Sequence, residues 1–394
     1  MEVFWTIFLF VFGACVGSFL NVAIYRLPRG ESIVFPGSHC PRCGRAIRWF
    51  DNIPLLSWLA LGGNCRFCKE PISPRYILIE FATAVMVAGL YVCYYVLRIR
   101  EGAGRFEDTW PMFLAHAALL CGLLVCTAVD IEKWIVPLEV CWFVTLAGLV
   151  SSAASPQAWM PKVSPAMGAA SVGAGVGLVL GLLLLRYGLL QQSFIDAADK
   201  PVAVEDSAKG KKKPKPPAVA FTRENGVSPR KEILRELLFL APAVALAIIA
   251  WLLVTHVACV GEPWRRWTDP SGGGLARHVN GFLSALLGYL VGGAWIWGVR
   301  ILGTLGFNKE AMGLGDAHIL GAVGAATGWF VPTVVFFVAP LFGILWAMYL
   351  WLRRGQRELP YGPWLAAATL TVLLFYDSIV AFLKPYGSVL YVSP

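Results

Sequence analysis

Long apolar runs alternate with short polar breaks along this chain. Ten runs approach or exceed the roughly 20 residues a helix needs to cross a bilayer. They cover about 3–25, 76–98, 111–130, 134–153, 166–190, 235–258, 279–303, 314–329, 331–352 and 362–384. The eighth is short and the ninth follows it closely. The runs are continuous rather than alternating with period two, which predicts helices and argues against outer-membrane barrel strands. The expected fold is an all-α polytopic membrane protein of about ten transmembrane helices. The first segment, MEVFWTIFLFVFGACVGSFLNVAIYR, has no positive leading region and no small-x-small cleavage site. It reads as a retained first helix rather than a signal peptide.

Composition agrees. Of 394 residues, 57% are hydrophobic and 14% charged, with mean hydropathy +0.65. An average soluble domain is roughly 25% charged. The net charge of +9 is unevenly placed. Residues 26–75 carry eight Lys/Arg against three acids, residues 190–235 contain KGKKKPKPP, and RRGQR lies at 353–357. Loops near 99–110, 154–165 and 259–278 are close to balanced. The positive-inside rule puts the basic loops in the cytoplasm and both termini outside. Ten alternating helices then bring Asp130 and Asp316 to the same, cytoplasmic face. Basic surface also suits nucleic acid. Beside membrane helices it reads instead as a topology signal and a contact for anionic membrane lipid, with no nucleic-acid partner. KGKKKPKPP, flanked by DAADKPVAVEDSA, reads as a disordered loop.

Six of the ten cysteines (Cys15, Cys93, Cys121, Cys126, Cys141, Cys259) lie in or beside apolar runs and read as small hydrophobes. The other four form two C-x2-C knuckles, Cys40-Pro-Arg-Cys43 and Cys65-Arg-Phe-Cys68. Paired knuckles place four thiolates on one tetrahedral ion, so a structural Zn2+ is expected. Four thiolates leave no open position for water. Two disulfides or a redox pair is the alternative, and a cytoplasmic setting disfavours it. Arg42, Arg45 and Arg66 stand close enough in sequence to favour thiolate. His39 adjoins the first knuckle and reads as a neighbour, not a ligand.

Asp130 closes HAALLCGLLVCTAVD and Asp316 opens GLGDAHILGAVGAATGW. A carboxylate at a membrane position is costly and is a functional candidate by default. Two carboxyls that share a site share a proton, the equipment of an aspartic protease. Two separate, wet interfacial acids are the plainer reading, and on the carboxylates alone the two are balanced. Gly313 and Gly315 frame Asp316 and leave room for a substrate strand. Glu132 and His318 each stand two residues beyond an aspartate. Glu132 is the reserve acid, and His318 is either an interfacial polar residue or a neighbour that tunes Asp316. The chain has no H-E-x-x-H, G-x-S-x-G or G-x-x-x-x-G-K-[ST], and no His has a His partner four residues on.

Taken together, these segments resemble the bacterial type IV prepilin peptidases. GSFLNVAIYRLPRG at 17–30 is similar to that family's opening signature, and 40–80 to its zinc-bearing domain. AVDIEKWIVP at 128–137 and MGLGDAHILGAVGAATGW at 312–329 resemble its two aspartate motifs, and YGPWLAAA at 361–368 the start of its last helix. The resemblance implies a GxGD-type aspartic endopeptidase with Asp130 and Asp316 as catalytic acids. Its substrates would be prepilins of type IV pili or pseudopilins of type II secretion, cut at the cytoplasmic face of the inner membrane. It further implies N-methylation of the new N-terminus with S-adenosylmethionine, which nothing in composition or spacing indicates.

The chain departs from that family's pattern in three places. His318 stands where Lys is usual, which puts the charge around Asp316 in question. The acid after Pro137 is displaced, with Leu138 and then Glu139. Residues 155–275 add a helical hairpin to a usual set of eight helices. Within the chain, 168–185 and 281–298 look alike, as a partial duplication or as two glycine-rich packing helices would.

The expected layout is a first helix at 1–25, a cytoplasmic zinc-ribbon-like domain at 26–75 and membrane helices with Asp130 at 76–153. An inserted hairpin at 154–278 follows, with its basic loop at 190–235, and then the GxGD helices at 279–394. Two other functions fit parts of the pattern. A proton-coupled transporter would use the aspartates as an ion site. A non-catalytic assembly factor would bind pilin-like helices.

Overall fold

All ten apolar runs form helices in the computed structural model, which describes residues 1–40, 42–155, 160–193, 229–269, 271, 273–308, 310–354 and 360–384. The run KGKKKPKPP lies outside the described residues, as does part of RRGQR. Thirteen α-helices follow in chain order among the described residues. They are α1 (Glu2–Arg26), α2 (Leu56–Ala60), α3 (Arg75–Tyr91), α4 (Phe106–Lys133), α5 (Leu138–Ala154) and α6 (Pro165–Arg186). Then come α7 (Pro229–His256), α8 (Ala258–Thr268), α9 (Leu275–Phe307), α10 (Leu314–Thr327), α11 (Phe330–Arg354), α12 (Gly362–Leu374) and α13 (Tyr376–Leu383). The only β pairing among the described residues is two isolated bridges, His39 with Ala46 and Asn64 with Pro71.

Among the described residues, seven helices are long and apolar enough to cross a membrane, or eight if α12 and α13, bent by 78°, count as one span. The other two of the ten expected spans are shorter. α5 has 17 residues and α10 has 14. At 1.5 Å per residue α10 is about 21 Å long, less than the ~30 Å hydrocarbon core. That length is tolerated because α10 is not a lipid-facing helix. Apart from His318, every residue from Ala317 to Thr327 is buried in protein. It packs against α4, α5, α9, α11 and α12 and forms the centre of the bundle.

Local chemistry sets the helix ends. α4 stops where Trp134 turns left-handed (φ 61°), and the Trp134 amide bonds back to the Asp130 carbonyl at 2.9 Å. α6 starts at Ser164, whose hydroxyl accepts the Met167 amide at 3.3 Å, with Pro165 as its first residue. The closest helix crossing is α9 on α10, at Gly288 and Gly324, where a β-carbon on either glycine would overlap the other's carbonyl. Gly177 of α6 meets the backbone of α7 in the same way. Both glycine-rich stretches, 168–185 and 281–298, thus pack backbone to backbone against a neighbouring helix.

The stretch 154–278 holds α6, α7 and α8, and α6 and α7 lie against each other and on α9. α8 departs from the sequence reading, which took 259–278 as a loop. It is a short amphipathic helix pinned at Trp264, whose indole N–H donates to the Pro165 carbonyl at 2.7 Å. Arg265, Arg266 and Trp267 face outward.

Residues 26–75 contain little regular structure beyond α2 and short turns. Side chains tie this segment to the bundle. The buried Arg26 donates to the Ser32 and Pro36 carbonyls at 2.9 and 2.7 Å. Asn21 of α1 donates to the Tyr76 carbonyl at 3.0 Å. Glu80 of α3 accepts the Leu55 amide at 2.8 Å.

Candidate active site

The two knuckles come together. Their four Sγ atoms lie within 4.8 Å of one another, with Cys40 and Cys68 at 3.8 Å. A tetrahedral ion with metal–sulfur bonds of about 2.3 Å separates its sulfurs by about 3.8 Å. The donor set and spacing therefore fit one metal ion, and His39, exposed and bonded to the Gly37 carbonyl, is not part of the cluster. The two halves are built alike. The Cys40 amide donates to Arg45 and the Gly44 amide returns to Cys40, while Cys65 pairs with Glu70 and Lys69 returns to Cys65. Gly44 and Lys69 take matching left-handed conformations, at φ 67° and 57°.

The arginines play a different part from the expected one. Arg42 pairs with Glu70 at 3.2 Å, Arg45 lies over the Phe67 ring at 4.9 Å, and Arg66 grips Asp51 at 2.8 Å. The Arg66 hydrogen bonds hold Asp51 below the usual carboxylate range. Backbone amides of Cys68 and Phe67 instead draw the Cys65 thiol down to about 7. At Cys68 the Glu70 amide also pulls downward, but desolvation and the neighbouring thiols outweigh it and push the group up to about 11.

The aspartates meet at one end of the bundle. Asp130 lies in the last turn of α4. It is buried, and its Oδ2 accepts the Gly362 amide of α12 at 2.9 Å. Gly362 stands in the first turn of α12 with Pro363, so the positive end of a helix faces the carboxylate. A β-carbon on Gly362 would sit 2.7 Å from that oxygen. Asp316 is half-buried in the first turn of α10, after the N-cap Gly313. Gly315 packs on Val136, in the turn that follows Asp130, where a β-carbon would fall 2.7 Å from the valine. The turn after Asp130 thus touches the loop that carries Asp316, and Asp130 itself touches the start of α12. Residues far apart in sequence thus share one locale at the ends of α4, α10 and α12.

Glu132 and His318 go elsewhere. Two residues along a helix is a turn of about 200°, so neither shares a face with its aspartate. Glu132 is exposed and ion-paired with Arg75 at the start of α3. His318 is half-buried with its ring 5.3 Å from that of Trp142 on α5. Sequence reasoning assigned no role to Gly362, Tyr361 or Val136. The signal was present in YGPWLAAA, because Gly-Pro opening an apolar run marks a helix N-terminus and its free amides.

Residues 11–94 match the family model of the Bacterial Peptidase A24 N-terminal domain. A prepilin leader peptidase/N-methyltransferase of Myxococcus xanthus is 41% identical over 197 residues, 49% of this chain and 52% of the relative. That match spans about half of the relative's length. One of the same name from Pseudomonas aeruginosa is 27% identical over 396 residues, 93% of this chain and 89% of the relative. Another from Aeromonas hydrophila is 24% identical, covering 94% of this chain and 90% of the relative. The chain is thus similar to prepilin leader peptidase/N-methyltransferases over nearly its whole length. The family model covers most of α1, the four-cysteine segment and all of α3, while the long alignments cover more than nine-tenths of the chain. No solved structure matches the chain.

Proposed function

We propose that the protein is an aspartic endopeptidase of the bacterial inner membrane that removes the leader from prepilin- or pseudopilin-like substrates at the cytoplasmic face. The convergence of Asp130 and Asp316 at one end of the bundle carries this reading. Two neighbouring carboxyls hold one proton between them. Asp130, which accepts the Gly362 amide, suits the ionised role and takes a proton from water as it attacks the scissile carbonyl. Asp316 polarises that carbonyl and then supplies a proton to the leaving amine. The substrate must unwind here, since a helical carbonyl is bonded within its own helix. Gly313 and Gly315 carry no side chains to obstruct an extended strand. The face is cytoplasmic because the basic segment 26–75 and the basic first turns of α7, with Arg230, Lys231 and Arg235, lie at this end. Membrane lipid, rather than nucleic acid, accounts for those charges.

Cys40, Cys43, Cys65 and Cys68 would hold a Zn2+ whose work is structural. About fifty residues bury too little core to fold without such a staple. The relatives' name adds N-methylation, for which the donor would be S-adenosylmethionine. The cavity beside Tyr361, of about 260 Å³, does not fit that donor. It is lined by Pro340, Gly343, Ile344, Ala347, Tyr361 and Trp364, with no charged group for an amino-acid end. None of the relatives named above is a transporter.

Cleavage of a prepilin-like peptide in membranes tests the reading, with Asp130→Asn and Asp316→Asn beside the parent. Each change is expected to lower cleavage by roughly 10²–10⁴-fold, the usual worth of a general acid or base, with zinc content retained. Undiminished cleavage by either variant overturns the acid pair.

A further inference from the structure

A buried charge network lies beside the aspartates and takes no part in the proposed chemistry. Arg300 of α9 is 2% exposed. Its Nε donates to Glu236 Oε1 at 2.9 Å, and one Nη donates to Glu310 Oε1 at 2.6 Å and to the Met312 carbonyl at 2.8 Å. Glu236 of α7 is 3% exposed and also accepts the Ser193 hydroxyl at 2.6 Å and the Trp297 indole N–H. Charged groups buried in a membrane bundle are costly and are kept where they serve a function.

The direction of these bonds shows what that function is. Met312 directly precedes Gly313, the N-cap of the helix that carries Asp316. Glu310 is two residues earlier, just after Asn308 reverses the chain in a left-handed turn at φ 50°. Arg300 therefore holds the approach to the Gly313–Asp316 loop at two points. Glu236 holds Arg300 from the far side, and Glu236 belongs to the hairpin 154–278. A hairpin that needed only anchoring would pack through apolar side chains and glycines, as α6 and α7 do elsewhere.

We propose that Arg300 is a positioning residue for the Asp316 loop and that Glu236 orients Arg300 for it, so that the hairpin 154–278 buttresses the active site. The assignment rests on the reading of Asp316 as a catalytic acid. A guanidinium suits the task because its planar fork aims separate N–H donors at two carboxylates and a carbonyl in fixed directions, where an ammonium presents a single point charge on a flexible stem.

The test uses the full-length protein in membranes with a prepilin-like peptide. Parent, Asp316→Asn, Arg300→Gln, Arg300→Lys, Glu236→Gln and Arg235→Gln are compared. Arg235 lies in the same hairpin, bonded to Glu232 and Gln191. A loop displaced by about 1 Å costs on the order of 10²-fold in rate. Arg300→Gln and Glu236→Gln are expected to lower kcat by at least about tenfold with KM within about twofold, Arg300→Lys to recover part of the loss, and Arg235→Gln to resemble the parent. Amide exchange over residues 308–316 is expected to quicken in Arg300→Gln and Glu236→Gln while α4 keeps its protection. Parent-like kcat and unchanged exchange in both variants overturn the proposal, and loss of cleavage in Asp316→Asn alone would then leave the catalytic reading standing. If Asp316→Asn cleaves like the parent, that reading falls, and exchange over 308–316 decides the clamp by itself.

Discussion

A single added carbon at Gly362 tests the geometry around Asp130. The β-carbon would stand 2.7 Å from Asp130 Oδ2, and the carboxyl would have to rotate off the amide it now accepts at 2.9 Å. A hydrogen bond to a charged group contributes about 1.5–3 kcal/mol, which is about 10–100-fold in rate. Gly362→Ala is expected to lose that much cleavage with bound zinc unchanged. A parent-like rate would mean that this amide does not hold the acid during turnover. Glu132→Gln should behave differently. It removes an exposed ion pair with Arg75 of a kind worth about 0–1 kcal/mol. Cleavage within about threefold of the parent is expected, and its abolition would restore Glu132 as an acid. Both aspartates were legible in the sequence because each sits where an apolar run meets polar residues. Gly362 was not, because the contact spans 232 residues and depends on where the end of α12 lands.

Among the elements, the knuckles were the most legible, since C-x2-C spacing states its own geometry. What the spacing cannot show is which groups surround the sulfurs. The guanidiniums of Arg42, Arg45 and Arg66 are occupied with Glu70, Phe67 and Asp51, while backbone amides face Cys65. α8 was missed for a related reason. Gly261, Pro263 and balanced charge resemble a loop, and the helix is held by tertiary bonds at Trp264 and Thr268, the latter through Asn280. The metal staple gives a prediction at this scale. Structural zinc supplies about 10–16 kcal/mol in small zinc domains, far more than a segment with few buried apolar residues can gain by packing. Cys65→Ser or a strong chelator should remove bound zinc and open residues 26–75 to protease. α4, α9 and α10 should stay protected, because they pack chiefly on other helices of the bundle. Resistance of 26–75 without metal would show that its fold rests on other contacts.

Across the whole molecule, these ion pairs and acids gather at one end of the bundle. Arg75 with Glu132, Asp130 with Gly362, and Arg300 with Glu236 and Met312 join the loops beside the aspartates to the end of segment 26–75 and to α7. α7 leaves that end near Glu232 and runs 28 residues, about 42 Å, to His256. α8 therefore begins at the opposite end, and Cys259 in its first turn is exposed. The native chain thus carries its own reporter of orientation. If the basic segments face the cytoplasm, a membrane-impermeant maleimide should label Cys259 in intact spheroplasts. A cysteine placed in the basic loop by Ser207→Cys should label only after the membrane is opened. The reverse pattern would put the aspartates outside, where a substrate still carrying a basic leader on the cytoplasmic side could not present its cleavage site to them. Labelling of both sites from one side would mean that α7 does not cross, and the bundle would then need a different pairing of ends. The test does not depend on catalysis, because helix length and charge alone fix its outcome.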